Sequence, residues 1–158
     1  MGDVVVSLQG VRAVLGGHPA LEGVDLEVRT GQRVALVGPS GAGKTTVLRL
    51  CTAALAPTSG AVSVLGRDLG SATAAEVRAL RRRIGSVYQQ LDLVGALRVV
   101  HNVNAGRLGS WAPARALRSL VRPVELEEAR RALDQVGIAD RLFERTDRLS
   151  GGEQQRVA

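Results

Sequence analysis

The feature that most constrains the fold of this chain is a glycine-rich stretch between an apolar run and a second apolar segment. It spans residues 33–50 and reads RVALVGPSGAGKTTVLRL. The apolar run at 34–37 predicts a buried strand, and Val47, Leu48 and Leu50 predict the apolar side of a following helix. A strand, a glycine-rich turn and a helix in this order predict an α/β fold built around the turn.

The turn fits the pattern G-x-x-x-x-G-K-[ST], in which each residue type has a role in holding phosphate. Gly38, Gly41 and Gly43 let the backbone turn tightly and bring its N–H groups close to an anion. The helix start adds unpaired N–H groups and about half a positive charge. Lys44 can reach the β- and γ-phosphates, and the Thr45 hydroxyl can ligate a bridging Mg²⁺.

We therefore predict a nucleoside triphosphate site. An ordinary strand-to-helix turn is the alternative, and the strand predicted before the loop and the helix predicted after it disfavour that alternative. The predicted nucleotide-binding residues of this loop are Gly38, Pro39, Ser40, Gly41, Ala42, Gly43, Lys44, Thr45 and Thr46.

The composition of the chain bounds the remaining possibilities. A length of 158 residues with 45% hydrophobic content suits one globular domain with a sizeable core. The sequence contains no apolar run of about 18 residues, and its first residues lack the pattern of a secretory leader, so we expect a cytoplasmic chain. Cys51 is the only cysteine, which excludes a disulfide within the chain.

The charge of the chain is basic and unevenly distributed. The formal net charge is +6, and all basic residues except Lys44 are arginines. Residues 77–124 hold nine arginines against one acid, Asp92. This segment faces either an acidic partner, anionic lipid headgroups or simply solvent. Aromatic residues make up only 2% of the chain, which disfavours base stacking, so we expect no nucleic-acid partner.

The alternation of apolar and polar residues predicts the other elements. Strands are expected at 4–8, 24–28, 61–66 and 84–88, with a turn at 16–19. Helices are expected at 72–83, over the apolar positions from 126 to 136 and at 138–145. Residues 91–123 read as short helical pieces joined by an arginine- and proline-rich connector.

The last ten residues, LSGGEQQRVA, predict a second helix start. Ser150 as the N-cap and Glu153 three residues later form a capping-box pattern. Exposed N–H groups at such a start can also accept phosphate. A simple cap and an anion site are compatible interpretations of this segment.

Taken together, these motifs resemble those of ATP-binding-cassette (ABC) ATPases. GPSGAGKTT at 38–46 matches the Walker A motif of that family, Gln89 after IGSVY matches its Q-loop, and LSGGEQQRVA matches its signature. The resemblance implies a P-loop NTPase fold whose α/β core carries an antiparallel β-subdomain and a helical subdomain. It places the ATP-binding core and β-subdomain at 1–88, and the Q-loop, helical subdomain and signature at 89–158.

The same resemblance implies how the sites work. Two subunits pair head to tail, and one closes its signature over the ATP that Lys44 of the other subunit holds. The signature residues implied to act in trans are Ser150, Gly151, Gly152 and Gln154. Gln89 would sense Mg²⁺ and the γ-phosphate, so the metal residues are Thr45 and Gln89. The implied partners are a second ATP-binding subunit, transmembrane permease subunits and, indirectly, a periplasmic or extracellular solute-binding protein, at the cytoplasmic face of the membrane.

The chain departs from the family pattern at two places. An aromatic residue that stacks on adenine is usual in the family, whereas Val14 or Leu15 stands at that position. The sequence stops at Ala158, before the place where the family has the metal-holding aspartate and catalytic glutamate of Walker B, the D-loop and the switch histidine. His18 and His101 both precede the signature, so neither can be that histidine. The resemblance therefore implies no catalytic residue in this segment, which looks like the N-terminal part of a longer subunit.

Two expectations follow from that second departure. The segment alone should release negligible phosphate from ATP, in contrast to the full-length subunit. The apolar flank at 34–37 should be exposed and should promote association, because in the family a missing strand lies beside it.

The transported solute is suggested by one local likeness. The stretch at 84–111, and NVNAGRLG at 102–109 above all, is similar to importers of phosphonates and related phosphorus oxyanions. The alternatives are an importer of another solute such as polar amino acids, a lipoprotein-release ATPase, a soluble cassette protein of DNA repair or translation, and an ATP-binding module without hydrolysis.

Overall fold

The computed structural model describes residues 2–87 and 91–158, so the predicted Q-loop residue Gln89 lies outside the described residues. The chain divides into two compact units, Met1–Ser86 and Val87–Ala158. Each unit has its own hydrophobic core. None of the helices among the described residues is long and apolar enough to cross a membrane.

The first unit contains an antiparallel sheet of four strands. These are β1 (Val4–Leu15), β2 (His18–Arg29), β3 (Ser59–Val64) and β4 (Arg67–Asp68), in the spatial order β2-β1-β3-β4. The β1–β2 hairpin turns through Gly16 and Gly17, both at positive φ. The strands expected at 4–8 and 24–28 are confirmed, although β1 and β2 extend well beyond the predicted bounds. The strand expected at 61–66 is confirmed up to Val64, and Leu65 and Gly66 form the turn to β4.

Two helices complete the first unit. They are α1 (Lys44–Cys51) and α2 (Ala74–Arg81). Thr73 caps α2 in a capping box with Glu76, which explains the start of that helix. The core joins one face of the sheet to α1, and its buried members are Leu8, Val11, Ala13, Leu21, Val47, Leu50, Ala53, Val62, Val64, Leu69 and Leu80.

Two predicted strands of this unit are wrong in this structure. Residues 34–37, and residues 84–87 of the strand predicted at 84–88, form no ladder with any described strand, and Tyr88 lies outside the described residues. Only Leu36 of the first run packs against the core, whereas Val34 is 51% and Val37 94% exposed. An apolar run becomes a strand only when a neighbour pairs its N–H and C=O groups, and the periodicity of one segment does not supply that neighbour. The predicted exposure of the flank is confirmed for Val34 and Val37, while Leu48, expected on the apolar side of α1, is 55% exposed.

The second unit is helical. Its helices are α3 (Val99–Ala105), α4 (Pro113–Val121), α5 (Leu126–Gln135) and α6 (Gly151–Val157), with short 3₁₀ turns at Leu108–Ser110, Ala139–Arg141 and Thr146–Arg148. The core of this unit consists of Val99, Val100, Ala129, Leu133, Ile138, Leu142 and Leu149.

The helix predicted at 138–145 is wrong beyond a single 3₁₀ turn. The backbone N–H groups of Val99 and Val100 donate to the carbonyls of Glu144 and Leu142, both at 3.0 Å. A helix over 138–145 would need its N–H groups to donate four residues back, whereas those of Leu142 and Glu144 donate three residues back, to Ala139 and Arg141. The bonds to α3, together with the bridge between Arg98 and Arg145, hold the end of this segment extended along the start of α3. The competing long-range hydrogen bonds are invisible to helical periodicity.

Candidate functional site

The phosphate loop combines a left-handed backbone with a close approach to β2. Gly41 and Gly43 have φ of 82° and 80°. A Cβ at Gly43 would lie 2.6 Å from Leu21 Cδ2 and 2.7 Å from the Ala20 carbonyl oxygen. Any side chain there would therefore force β2 away from the loop. The predicted need for glycine at position 43 has a second cause, the neighbouring strand, in addition to the backbone conformation.

The start of α1 opens onto a concavity of about 190 Å³. Gly43 is the N-cap, and no side chain caps the helix. The first helical hydrogen bond runs from Val47 N–H to the Gly43 carbonyl at 2.9 Å, so the N–H groups that precede Val47 lack an intrahelical acceptor. The concavity is lined by Ala20, Gly41, Ala42, Gly43, Lys44, Thr45 and Thr46. A helix start without a capping side chain or an acidic first turn is electrostatically suited to an anion.

Lys44 folds back over the loop that precedes it. Its Nζ donates to the carbonyl of Gly38 at 2.8 Å and to that of Pro39 at 2.7 Å. The ammonium carries three donors, and these two neutral acceptors leave its charge uncompensated. The side chain is thus held at the concavity with its positive charge available to a phosphate.

The hydroxyl residues beside Lys44 occupy different environments. Thr45 is exposed, whereas Thr46 is only 7% exposed. Ser40 lies in the exposed part of the loop. The structure therefore brings residues 41–46 together around one concavity, with Gly38 and Pro39 joined to them through Lys44. Ala20 of β2 also lines it and was not predicted, because nothing in the loop sequence indicates which strand lies alongside.

The predicted adenine position lies at the end of the β1–β2 hairpin. Val14 pairs with Pro19 and Leu15 pairs with His18. Val14 is 46% and Leu15 37% exposed. Both side chains present aliphatic surface to solvent, which offers van der Waals contact and no ring stacking.

The signature segment begins α6 with a complete capping box, which confirms that prediction. Ser150 Oγ accepts from Glu153 N–H at 3.3 Å, and Glu153 Oε2 accepts from Ser150 N–H at 2.9 Å. The Ser150 backbone N–H, then the Ser150 hydroxyl and Arg141, lower the pKa of the Glu153 carboxyl below its usual value. Gly151 and Gly152 are exposed beside this cap. A carboxylate thus occupies part of the anion-accepting start of α6.

Gln154 has a structural contact within its own unit. Its Nε2 donates to the carbonyl of Leu149 at 3.1 Å and to that of Thr146 at 3.3 Å. These bonds fasten the turn before α6 to the first turn of the helix. A nucleotide contact in trans by Gln154 would have to replace or share them, and it stays a prediction, as do the trans contacts of Ser150, Gly151 and Gly152.

Known proteins with similar sequences indicate the family of this chain. The profile of a family described as "ABC transporter" matches residues 21–158. The phosphonates import ATP-binding protein PhnC of Anaeromyxobacter dehalogenans (strain 2CP-C) is 53% identical over 153 residues, which cover 97% of this chain and 31% of that protein. The phosphonates import ATP-binding protein PhnC 1 of Pseudomonas syringae pv. syringae (strain B728a) is 45% identical over 141 residues, covering 89% and 53%.

A solved structure shows a similar fold. The ATP-binding cassette MJ0796, in a dimeric post-hydrolysis state bound to ADP and Pi, superposes with a TM-score of 0.76 at 27% identity. The match covers 96% of this chain and 66% of that one. The present chain therefore spans about a third to two thirds of the length of these relatives. Because the family profile covers most of the sequence, including the phosphate loop and the signature, the chain belongs to the ABC transporter family.

Proposed function

We propose that this chain binds ATP with Mg²⁺ and that the whole subunit hydrolyses ATP to power import of a phosphonate or related phosphorus oxyanion. The observation that carries the proposal is the phosphate loop, where the Lys44 ammonium and the uncapped start of α1 border one concavity. A cation and several unpaired N–H donors in one cradle complement a triphosphate.

The Mg²⁺ ion would be held mainly by phosphate and water. Thr45 presents an exposed hydroxyl next to Lys44, and none of the described residues that line the concavity is a carboxylate. Mg²⁺ favours oxygen ligands and keeps several waters, so one hydroxyl with phosphate oxygens fits its preferences. The ion would neutralise charge on the phosphates, while this chain orients them. Gln89, the second predicted metal residue, completes this proposal from the resemblance alone.

A second subunit would complete the site across a head-to-tail dimer. The MJ0796 cassette, which binds ADP and Pi, is dimeric. The exposed Gly151 and Gly152 at the start of α6 leave their backbone accessible to a partner. For a direct test, the native Cys51 is replaced by alanine and the pair Ser40→Cys and Gly152→Cys is introduced into the full-length subunit. We expect ATP-dependent disulfides between protomers, and crosslinks that never join these regions would contradict the sandwich.

The names of two relatives support the proposed transport role. Both PhnC proteins are named phosphonates import ATP-binding proteins, and membrane permease subunits are the partners that import requires. We place the subunit at the cytoplasmic face of the membrane, where ATP is available, and expect a solute-binding protein to meet the permease rather than this chain.

The whole proposal is tested in the organism that carries the gene. Lys44→Ala is compared with Arg49→Ala, which removes an exposed cation from the same helix outside the concavity. We expect Lys44→Ala to abolish growth with methylphosphonate as the sole phosphorus source and to leave growth on inorganic phosphate unchanged. Arg49→Ala should grow on both sources. Unimpaired growth of the Lys44→Ala strain on methylphosphonate would refute the import function.

A further inference from the structure

A second concavity lies in the helical unit and is dominated by arginines. It has a volume of about 390 Å³, twice that at the phosphate loop. Its lining consists of Arg115, Arg118, Arg122, Pro123, Val124 and Glu125. Three guanidinium groups and one carboxylate give this lining a formal charge of +2. Three of the nine arginines of the basic segment at 77–124 thus line one concavity.

The arrangement of the arginines follows from helix geometry. Arg115, Arg118 and Arg122 are separated by three and four residues, the spacing that places side chains on one face of a helix. The N–H of Arg122 donates to the Arg118 carbonyl at 2.9 Å, so Arg122 completes the last turn of α4. The three guanidinium groups therefore project from neighbouring turns toward the same space.

The opposite wall of the concavity is fixed by hydrogen bonding. Asn104, 3% exposed, donates from Nδ2 to the Val124 carbonyl at 2.8 Å and ties the segment after α4 to α3. Glu125 follows in a left-handed conformation with φ of 53°. The wall is therefore held to the core of the unit rather than being a free loop.

The single carboxylate of the lining is already occupied. Glu125, whose side chain is 14% exposed, forms ion pairs with Arg115 and with Arg107, the latter at 2.7 Å. Within the part of the chain that the structure describes, the side chains of Arg118 and Arg122 form no ion pair. Two uncompensated charges thus remain at the concavity after the internal pairing is complete.

The geometry points to a second oxyanion site, in which Arg118 and Arg122 bind the phosphoryl group of a phosphate or phosphate ester. A guanidinium offers paired donors that match phosphate oxygens. A phosphate monoester carries about −1.5 to −2 charges at pH 7, which balances two unpaired arginines, whereas a carboxylate balances one. This site lies in the helical unit and does not depend on the function proposed for the phosphate loop.

The chain carries its own reporter for this site. Trp111 is the only tryptophan, and the guanidinium of Arg115 lies 5.0 Å from the centre of its ring. Because Arg115 also lines the concavity, an anion that enters should alter the emission of Trp111. The titration uses orthophosphate at ionic strength held constant with potassium chloride. It is performed on the Lys44→Ala background, which removes the phosphate-loop cation.

The expected result is a saturable change in Trp111 emission. The double variant Arg118→Gln, Arg122→Gln should bind phosphate at least tenfold more weakly than the Lys44→Ala parent. The double variant Arg118→Lys, Arg122→Lys should have an affinity between those of the parent and the glutamine variant. Arg130→Gln, an exposed arginine of α5 outside the concavity, is the matched control and should change the affinity less than twofold. Thermal unfolding followed by circular dichroism shows whether each variant remains folded.

A vesicle-binding experiment distinguishes a lipid headgroup from a free phosphate as the ligand. The chain is sedimented with phosphatidylglycerol vesicles. Binding that is lost in the double variant and kept in Arg130→Gln would identify the ligand as a lipid headgroup. A response to orthophosphate without vesicle binding would identify a free anion. The proposal is overturned if orthophosphate acts no differently from chloride and vesicle binding is equal in the double variant and the control. The effect of Lys44→Ala on the affinity for ATP tests the phosphate loop separately.

Discussion

The substitution Gly43→Ala tests the claim that the phosphate loop is shaped by its contact with β2. Gly41 and Gly43 share nearly the same positive φ, 82° and 80°. An added Cβ at Gly41 meets nothing within 4 Å, whereas one at Gly43 lies 2.6 Å from Leu21 Cδ2 and 2.7 Å from the Ala20 oxygen. Gly41→Ala is therefore a matched control that has the conformational penalty without the collision.

The expected losses of stability follow from the backbone conformation and from the collision with β2. A left-handed conformation costs a non-glycine residue about 1–2 kcal/mol, which applies to both variants. Overpacking adds about 1–3 kcal/mol at Gly43, because a backbone oxygen cannot rotate away as a side chain does. We expect a loss of about 1–2 kcal/mol in the free energy of unfolding for Gly41→Ala and about 2–5 kcal/mol for Gly43→Ala.

The assay is urea unfolding of the nucleotide-free chain, followed by circular dichroism. Without nucleotide, lost phosphate contacts do not contribute to the difference. Gly43→Ala should unfold at the lower urea concentration, with a separation of at least about 1 kcal/mol between the variants. Equal destabilisation by the two substitutions would refute the role assigned to β2 in shaping the loop.

Three further predictions concern the caps and the exposed flank. Hydrogen bonds from Arg67 of β4, and then from the N-cap Thr73, lower the pKa of Glu76 from its usual 4.5 to about 2. The stabilising contribution of Glu76 is therefore fully present above pH 4.5 and is lost as the pH falls toward 2. Glu76→Gln should flatten the acid dependence of unfolding in that window. Ser150→Ala should cost about 1 kcal/mol of unfolding free energy and raise the pKa of Glu153 toward its usual value, as measured by NMR titration; an unchanged pKa would contradict the capping-box account. Val37→Glu should reduce self-association in sedimentation velocity, whereas the same charge added at Gln32 should not.

Sequence predicts the local features of this chain well where short-range chemistry decides. The spacing of Gly38, Gly43 and Lys44 predicts the phosphate loop, and Ser150 with Glu153 predicts the cap of α6. In each case neighbouring residues along the chain make the contacts, so their identity and spacing suffice.

Prediction fails where distant partners decide. Residues 34–37 have the composition of a strand but form none, since no described strand pairs with them, and Val34 and Val37 remain exposed. The segment at 138–145 has a helical pattern, yet its carbonyls at Leu142 and Glu144 accept from the start of α3. Ala20 lines the phosphate concavity only because β2 passes beside Gly43. The concavity beside α4 could not be predicted, because it forms only where α4 and the segment bonded to Asn104 lie side by side.

The central claim is that Lys44 and the start of α1 bind the phosphates of a nucleotide. The most direct measurement is the affinity for ATP with Mg²⁺, determined by isothermal titration calorimetry for the wild type, Lys44→Ala and the control Arg49→Ala. Loss of one charge-assisted contact of about 1.5–3 kcal/mol predicts a reduction of at least tenfold for Lys44→Ala. Arg49→Ala should bind as the wild type does, and an unchanged affinity in Lys44→Ala would contradict the account.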